Sequence, residues 1–236
     1  MIDIHSHILP GIDDGARTMD ESIDIVQELV SQGVTGIIAT PHYITDTYYI
    51  SNKTDNRVLL ARLREALLDA GITANIWLGN EIFIDRNIID LLRQNIVSTL
   101  GNTNYVLVEF SLNEEYPNYV DILGNLTEKG YKVILAHPER YSLTQQNYDA
   151  LEELCNMGVL LQCNVGSFIG QYGKAAEKLA VRLAKENRIF AMGSDIHHAR
   201  GDKRILRATK KIRKYYDAAG LERVLVKNPS KMLGVI

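Results

Sequence analysis

Seven short apolar runs follow one another along this chain, and a nitrogen- or oxygen-bearing side chain closes six of them. The histidines are His5 and His7 in IDIHSH, His42 in IIATPH, His137 in VILAHP and His197 in FAMGSDIH. The carboxylates are Glu81 in NIWLGNE, Glu109 in YVLVEF and Asp195 in MGSD. An amphipathic segment follows each run, and apolar strands alternating with such helices predict parallel βαβ units. In an open doubly wound sheet, ligand groups gather at a single topological switch point. Here the ends of strands one to five and of strand seven all contribute, and only a closed ring brings so many strand ends around one point. The pattern therefore predicts a distorted seven-stranded (β/α) barrel of the TIM-like class, as one domain over residues 1–236, with a metal site at its mouth.

Local signals place the elements. Thr18-Met-Asp-Glu21 has capping-box spacing and opens a helix to about Gln32, where Gly33 stops it. Leu59, Leu60, Leu63, Leu67 and Leu68 form a helical stripe over 55–70. NIWLGNEIFI (75–84) reads as one strand, and further helices are expected over 86–93, 117–129, 147–157, 174–187 and 203–218, with a last one from near 229.

With 46% hydrophobic and 23% charged residues in 236, the balance is that of an ordinary globular protein with an ample core. The net charge of -3 and the lack of a long basic run argue against nucleic-acid binding through a general field, while leaving room for a local phosphate-binding spot. No stretch reaches the roughly 20 apolar residues that a membrane helix needs, and no basic-then-apolar leader precedes the first strand. Cys155 and Cys163, the only cysteines, lie outside any CxxC pair and read as reduced thiols of a cytoplasmic protein. Nothing marks an oligomer interface.

His5 and His7, two residues apart in an extended strand, face the same side. Asp13 and Asp14 follow in GIDDG, which alone would be an ordinary turn; beside HSH, one carboxylate reads as a ligand. Glu81 and Glu109 sit in or at the end of apolar strands, where an unpaired carboxylate needs a cation, a set of donors or a raised pKa. An arginine partner is the rival explanation for each. The candidate ligands are His5, His7, Asp14, His42, Glu81, Glu109, His137, Asp195 and His197. That is too many for one ion, so two or three clustered divalent ions are expected, with carboxylates such as Glu81 bridging them. No thiolate is in the set, and Mn²⁺, Fe²⁺ and Zn²⁺ all remain open. His198 is expected on the rim.

HSH, DDG, TPH, GNE, VEF, AHPER and SDIH, in this order, resemble the polymerase-and-histidinol-phosphatase (PHP) superfamily. HSHILPGIDDG, IIATPHY, LVEF and ILAHPERY are closer to one branch, the CpsB/CapC-type bacterial protein tyrosine phosphatases of capsule and exopolysaccharide clusters. The resemblance implies a distorted (β/α)₇ barrel with three divalent ions, often manganese, at the nine positions named. It also implies hydrolysis of phosphotyrosine, including on the tyrosine-rich tail of a membrane-associated autokinase. The arginine after the AHPE motif corresponds to Arg140, and a second phosphate-binding arginine to Arg200 or Arg204.

In the chemistry this implies, hydroxide generated by the ions attacks phosphorus in line, and Arg140 forms bidentate bonds to the phosphoryl group. The rival role for Arg140 is a salt bridge to Glu139 or a helix end. His197 or Asp195 would be the general acid, although both are also expected ligands. Tyr43, Tyr48 and Tyr49 either stack on the substrate ring or simply pack their loop. No CxxxxxR loop exists, so a cysteine mechanism is unsupported. The alternatives are a small-molecule phosphatase such as one for histidinol phosphate, a metal-dependent nuclease or esterase, and a non-catalytic phosphotyrosine- or metal-sensing module.

Overall fold

The first apolar run forms β1 (Ile2–Ser6), with all five residues buried. The computed structural model describes residues 1–113, 118–201 and 203–236. After β1 come α1 (Met19–Ser31), β2 (Gly36–Ala39), β3 (His42–Tyr43), α2 (Lys53–Asp69), β4 (Asn75–Leu78), β5 (Glu81–Phe83) and α3 (Ile88–Arg93). The second half contains β6 (Tyr105–Glu109), α4 (Tyr119–Glu128), β7 (Lys132–Ala136), α5 (Ser142–Gln146), α6 (Tyr148–Asn156), β8 (Leu160–Asn164), α7 (Gly173–Lys185) and β9 (Ile189–Gly193). Three short helices end the chain: α8 (Arg204–Ile212), α9 (Ala218–Glu222) and α10 (Asn228–Leu233).

All strand pairings are parallel, in the orders β1-β2-β4 and β3-β5-β6-β7-β8-β9. The gap between the two groups has a local cause. Pro41, which has no N–H, separates β2 from β3, and Gly79-Asn80 separates β4 from β5. Backbone bonds still cross the gap, from Gly79 N–H to Ala39 O (2.8 Å) and from Glu81 N–H to Pro41 O (3.1 Å). The expected second and third strands are therefore each one bent strand in two pieces. At the other seam, β1 meets the end of β9 through Asp195 N–H to His5 O (2.9 Å) and His7 N–H to Ile196 O (3.0 Å). The chain is an α/β fold of the barrel kind, with seven parallel strand positions in ring order.

A small apolar cluster with Ile4, Ile38, Leu107, Ile134, Ala136 and Ala191 draws residues from five strands and fills the ring. A larger cluster lies between the strands and the helices. The period-two alternation then places Glu109 on the same face as Leu107, and Gln162 and Asn164 on the same face as Leu160.

Helix boundaries largely follow the sequence. Gly33 and Gly71 adopt positive φ (89° and 69°) just beyond α1 and α2. Two expectations are corrected. Leu68 is 73% exposed, outside the buried stripe of Leu60, Leu63 and Leu67. The helix expected over 203–218 ends at Ile212, because Asp217 caps a new helix by accepting the Gly220 N–H (2.7 Å). The expected start of the α4 helix at 117 lies outside the described residues.

The capping box at α1 forms in a shifted version. Thr18 Oγ1 accepts the Glu21 N–H (3.2 Å), but the Glu21 carboxylate accepts from Arg17 N–H (2.9 Å) rather than from Thr18. Thr18→Ala should lower the unfolding free energy by about 1 kcal/mol in a urea titration, the usual cost of a lost N-cap.

Candidate metal centre

All nine candidate ligands converge at one end of the ring. Glu81 is at the middle, fully buried. Its Oε2 lies 3.0 Å from His5 Nε2, 3.3 Å from His7 Nε2 and 3.2 Å from His42 Nδ1, and its Oε1 lies 2.9 Å from His137 Nε2. Glu109 Oε1 is 2.9 Å from His42 Nδ1, and Asp195 Oδ1 is 3.5–3.6 Å from His5, His7 and His197. Asp14 Oδ1 joins the outer side, 3.3 Å from His197 Nε2 and 3.5 Å from His42 Nε2. His198 is exposed on the rim.

Three overlapping groups bring their ligand atoms close enough to share an ion: His7, Asp14, His42 and His197; His5, His7 and Glu81; and His42, Glu81 and Glu109. A divalent ion fits this chemistry. Glu81 Oε2 and His42 Nδ1 are both buried and, although 3.2 Å apart, neither makes a hydrogen bond. Separations of 3.0–3.6 Å suit atoms that share an ion with bonds of about 2.0–2.2 Å.

Neighbouring groups set which imidazole nitrogen faces inward. Asp13 Oδ2 accepts from His7 Nδ1 (2.8 Å), which leaves the Nε2 lone pair pointing at Glu81. His197 Nδ1 donates to the Asp195 carbonyl oxygen (3.1 Å), leaving Nε2 toward Asp14. His5 Nδ1 bonds to Gln162 Oε1 (3.0 Å). The tight GIDDG turn brings Asp13 into place: a Cβ on Gly15 would lie 2.2 Å from His7 O and 2.9 Å from Asp13 Oδ1. Two candidate ligands, His137 (φ 34°) and Asp195 (φ 51°), sit in left-handed backbone, a strained conformation that aims each side chain off its strand.

The acids and bases hold one another charged. Burial alone would lower the His42 pKa, but Glu81 and then Glu109 outweigh both burial and the repulsion of His7, and push it up to about 9. Burial opposes the charge on Glu81, yet His5, His42 and His137 hold it well below the usual carboxylate range. Burial is outweighed by His5 and then His7 at Asp195, which stays well below the usual carboxylate range, and by His197, then His42 and His7, at Asp14, which comes down to about 2.

Arg140 pairs with Asp195 and not with Glu139. Its guanidinium bonds to Asp195 Oδ2 (2.7 Å) and stacks over the Tyr172 ring, 4.3 Å from the centroid. Glu139 turns inward instead, accepting from Asn164 N–H (2.9 Å) and Ser167 Oγ (2.6 Å). Arg204 is buried at the start of α8, where its charge acts on the Tyr172 hydroxyl, whereas Arg200 is exposed and its N–H donates to Glu28 Oε2 (2.7 Å). Tyr43, read as a substrate contact, is largely buried in the core instead. The reason is its alternation with His42: when His42 points into the site, the next side chain of β3 points away. Tyr49 is the ring beside the site, stacked on His42 at 5.8 Å, and Tyr48 is 98% exposed. Cys163 is buried, and burial followed by Glu139 raises its thiol pKa, so it is no thiolate nucleophile.

The family model for capsular polysaccharide synthesis proteins of the CpsB/CapC type matches residues 1–234. The chain belongs to the CpsB/CapC family. It is 34% identical over 201 residues to the tyrosine-protein phosphatase YwqE of Bacillus subtilis, covering 85% of this chain and 78% of that protein. A crystal structure described among the metal-dependent tyrosine phosphatases YwqE of Bacillus subtilis and CpsB of Streptococcus pneumoniae superposes with a TM-score of 0.91 at 30% identity. That superposition covers 99% of this chain and 94% of the other. A histidinol phosphate phosphatase from Lactococcus lactis, with zinc, L-histidinol and phosphate bound, gives a TM-score of 0.61 at 16% identity over 90% of this chain and 92% of the other, a likeness of fold.

Sequence reading missed Asp13, Gln162, Asn164 and Tyr172. A signal existed for two of them: Gln162 and Asn164 interrupt the apolar run VLLQCNV at alternate positions, and so share a face. Of the DD pair, Asp14 faces the imidazoles of His42 and His197, and Asp13 braces His7 from outside.

Three outcomes follow from the charge balance. In EDTA-treated protein, His42 is charged up to about pH 9 when folded, against about 6.5 unfolded. Its contribution to stability is full below about pH 6.5 and is lost as pH rises through about 9, so the metal-free melting temperature should fall across that window. Mn²⁺ affinity should rise over the same window, because the ligands must shed their protons. Glu81→Gln keeps the shape and removes the charge; in metal-free protein the NMR titration of His42 should move from about 9 back toward the ordinary histidine range.

Proposed function

We propose that this chain is a metal-dependent protein-tyrosine phosphatase that binds two or three divalent ions, manganese in the first instance, through His5, His7, Asp14, His42, Glu81, Glu109, His137, Asp195 and His197. The observation that carries the proposal is the buried Glu81 carboxylate, with imidazole nitrogens of four histidines within 3.3 Å of its oxygens. The phosphatase names of the relatives in the family support the reaction class. The mixed nitrogen and oxygen donors, with no thiolate, suit manganese.

Divalent ions held by these residues would supply hydroxide near neutral pH and neutralise charge on the phosphoryl oxygens. The protein groups do the rest. Arg140, fixed from behind by Asp195 and Tyr172, has guanidinium donors left to bond phosphoryl oxygens. Arg204 is buried and near enough for its charge to be felt at the Tyr172 hydroxyl, which favours it over the exposed Arg200 as the second phosphate-side arginine. Tyr49, rather than Tyr43, offers a ring for the substrate phenyl group to pack against. Phenolate, with a pKa of about 10, needs only modest protonation to leave. Asp195 is buried and held ionised, so it has no proton to give, and His197, 26% exposed at its side chain, serves as a ligand on the outer side of the site.

The substrate in this reading is a tyrosine-phosphorylated protein, the tyrosine-rich tail of a membrane-associated autokinase that governs capsule or exopolysaccharide synthesis. The whole chain acts as one domain, in the cytoplasm. Among the described residues no helix is long and apolar enough to cross a membrane.

The test is phosphate release from a tyrosine-phosphorylated peptide and from histidinol phosphate, with Mn²⁺ and with EDTA. The peptide should be hydrolysed with Mn²⁺ and not with EDTA, and Arg140→Ala should cost about 100-fold or more in kcat/KM, the loss of a bidentate charged contact that strengthens in the transition state. Preference for histidinol phosphate would overturn the substrate assignment.

A further inference from the structure

The sixth strand, β8, supplies no candidate ligand, yet its inward side chains touch three of them. Gln162 and Asn164 are both fully buried. Gln162 Oε1 accepts from the backbone N–H of His137 (3.2 Å) and faces His5 Nδ1 (3.0 Å). Gln162 Nε2 donates to Asn164 Oδ1 (2.9 Å), and Asn164 Nδ2 donates to Asp195 Oδ2 (2.7 Å).

The direction of this chain of bonds is fixed at both ends. A backbone N–H can only donate, so the Gln162 atom facing His137 must be the amide oxygen. The opposite amide atom is then the donor, which fixes Asn164 with its oxygen toward Gln162 and its NH₂ toward Asp195. The chain ends on a carboxylate, which accepts. Reversing one amide would set donor against donor on one side of it and oxygen against oxygen on the other, and reversing both would do the same at the two ends of the chain of bonds. The same logic fixes His5: facing an oxygen, Nδ1 must carry a proton, so Nε2, toward Glu81 and Asp195, is the nitrogen that would give up its proton to an ion.

Asp195 is oriented by the same device. Its Oδ2 takes Asn164 Nδ2 (2.7 Å) and Arg140 (2.7 Å), with Tyr172 OH at 3.5 Å, so only Oδ1 is left to face His5, His7 and His197. Gly193 makes room for the contact. A Cβ there would lie 2.6 Å from His5 Cβ and 2.9 Å from Gln162 Nε2, forcing the two apart.

We propose that Gln162 and Asn164 form a directional hydrogen-bond relay, from the His137 backbone N–H to the Asp195 carboxylate, that sets the His5 tautomer and presents a single Asp195 oxygen to the metal centre. They are positioning residues, and the assignment does not depend on which phosphate ester is hydrolysed.

The test is calorimetric Mn²⁺ titration of the EDTA-stripped, full-length chain. Asn164→Leu keeps the volume and removes the donor, whereas Asn164→Ser keeps a donor. Outer partners of metal ligands typically govern about 10–100-fold in affinity. Asn164→Leu should weaken Mn²⁺ binding by about that factor, and Asn164→Ser should recover part of it. Wild-type Mn²⁺ affinity in Asn164→Leu with only a lowered melting temperature would overturn the proposal, as would equal loss in both variants. A measurement on the unaltered chain covers the case in which Asn164→Leu does not fold. In the diamagnetic Zn²⁺-loaded protein, histidine ring ¹⁵N spectra should place the His5 proton on Nδ1, and a proton on Nε2 would overturn the relay.

Discussion

A carboxylate with no access to water must be neutralised, and Glu81 is neutralised by imidazoles contributed by three other strand ends. That one constraint organises the upper half of the molecule. The histidines come from β1, from β3 and from just beyond β7, so their strands must end at a common height around a common axis. No arginine approaches Glu81 closely enough to pair with it among the described contacts, and the arginine-partner alternative for this residue gives way to the histidine cluster. Arg140 pairs one step further out, with Asp195.

Eight of the nine converging residues were legible because strand periodicity and position do not depend on distant partners, whereas Asp14 lies in the turn beyond β1. His5 and His7 share a face by alternation alone. The breaks in the second and third strands were less legible, since Pro41 and Gly79 mark an interruption without saying that the ladder resumes beyond it. A tyrosine-rich loop reveals nothing about which ring turns inward; the alternation of β3 behind His42 decides that, and buries Tyr43. The early end of α8 followed from Asp217 competing for the next turn. Gln162 and Asn164 had no ionisable group to attract notice, and their meaning depends on what lies across the ring.

Rigidity at this site comes from groups that never touch a substrate. Asp13 holds His7, the Asp195 carbonyl holds His197, and Tyr172 lies flat under Arg140. The left-handed backbone at His137 and Asp195 adds strain of order 1–3 kcal/mol each, tolerated because the surrounding contacts leave no alternative. Tyr141, for example, donates its hydroxyl to Ala136 O (2.7 Å) and accepts the Phe110 N–H (3.1 Å), so the strand end before His137 is tied to the strand end after Glu109.

The seam where Asp195 and Ile196 bond to His5 and His7 joins the two ends of the chain's strand order. A protein made from its N-terminus exposes the HSH pair early and must wait almost two hundred residues for the partner strand. Until then β1 has one open edge, and the buried acids and bases lack part of their set. Contacts of such sequence separation are slow to form. The centre is complete only once this seam has closed, and a chain that stops short of the seventh strand would carry most of the metal-seeking groups without the ring that holds them in order.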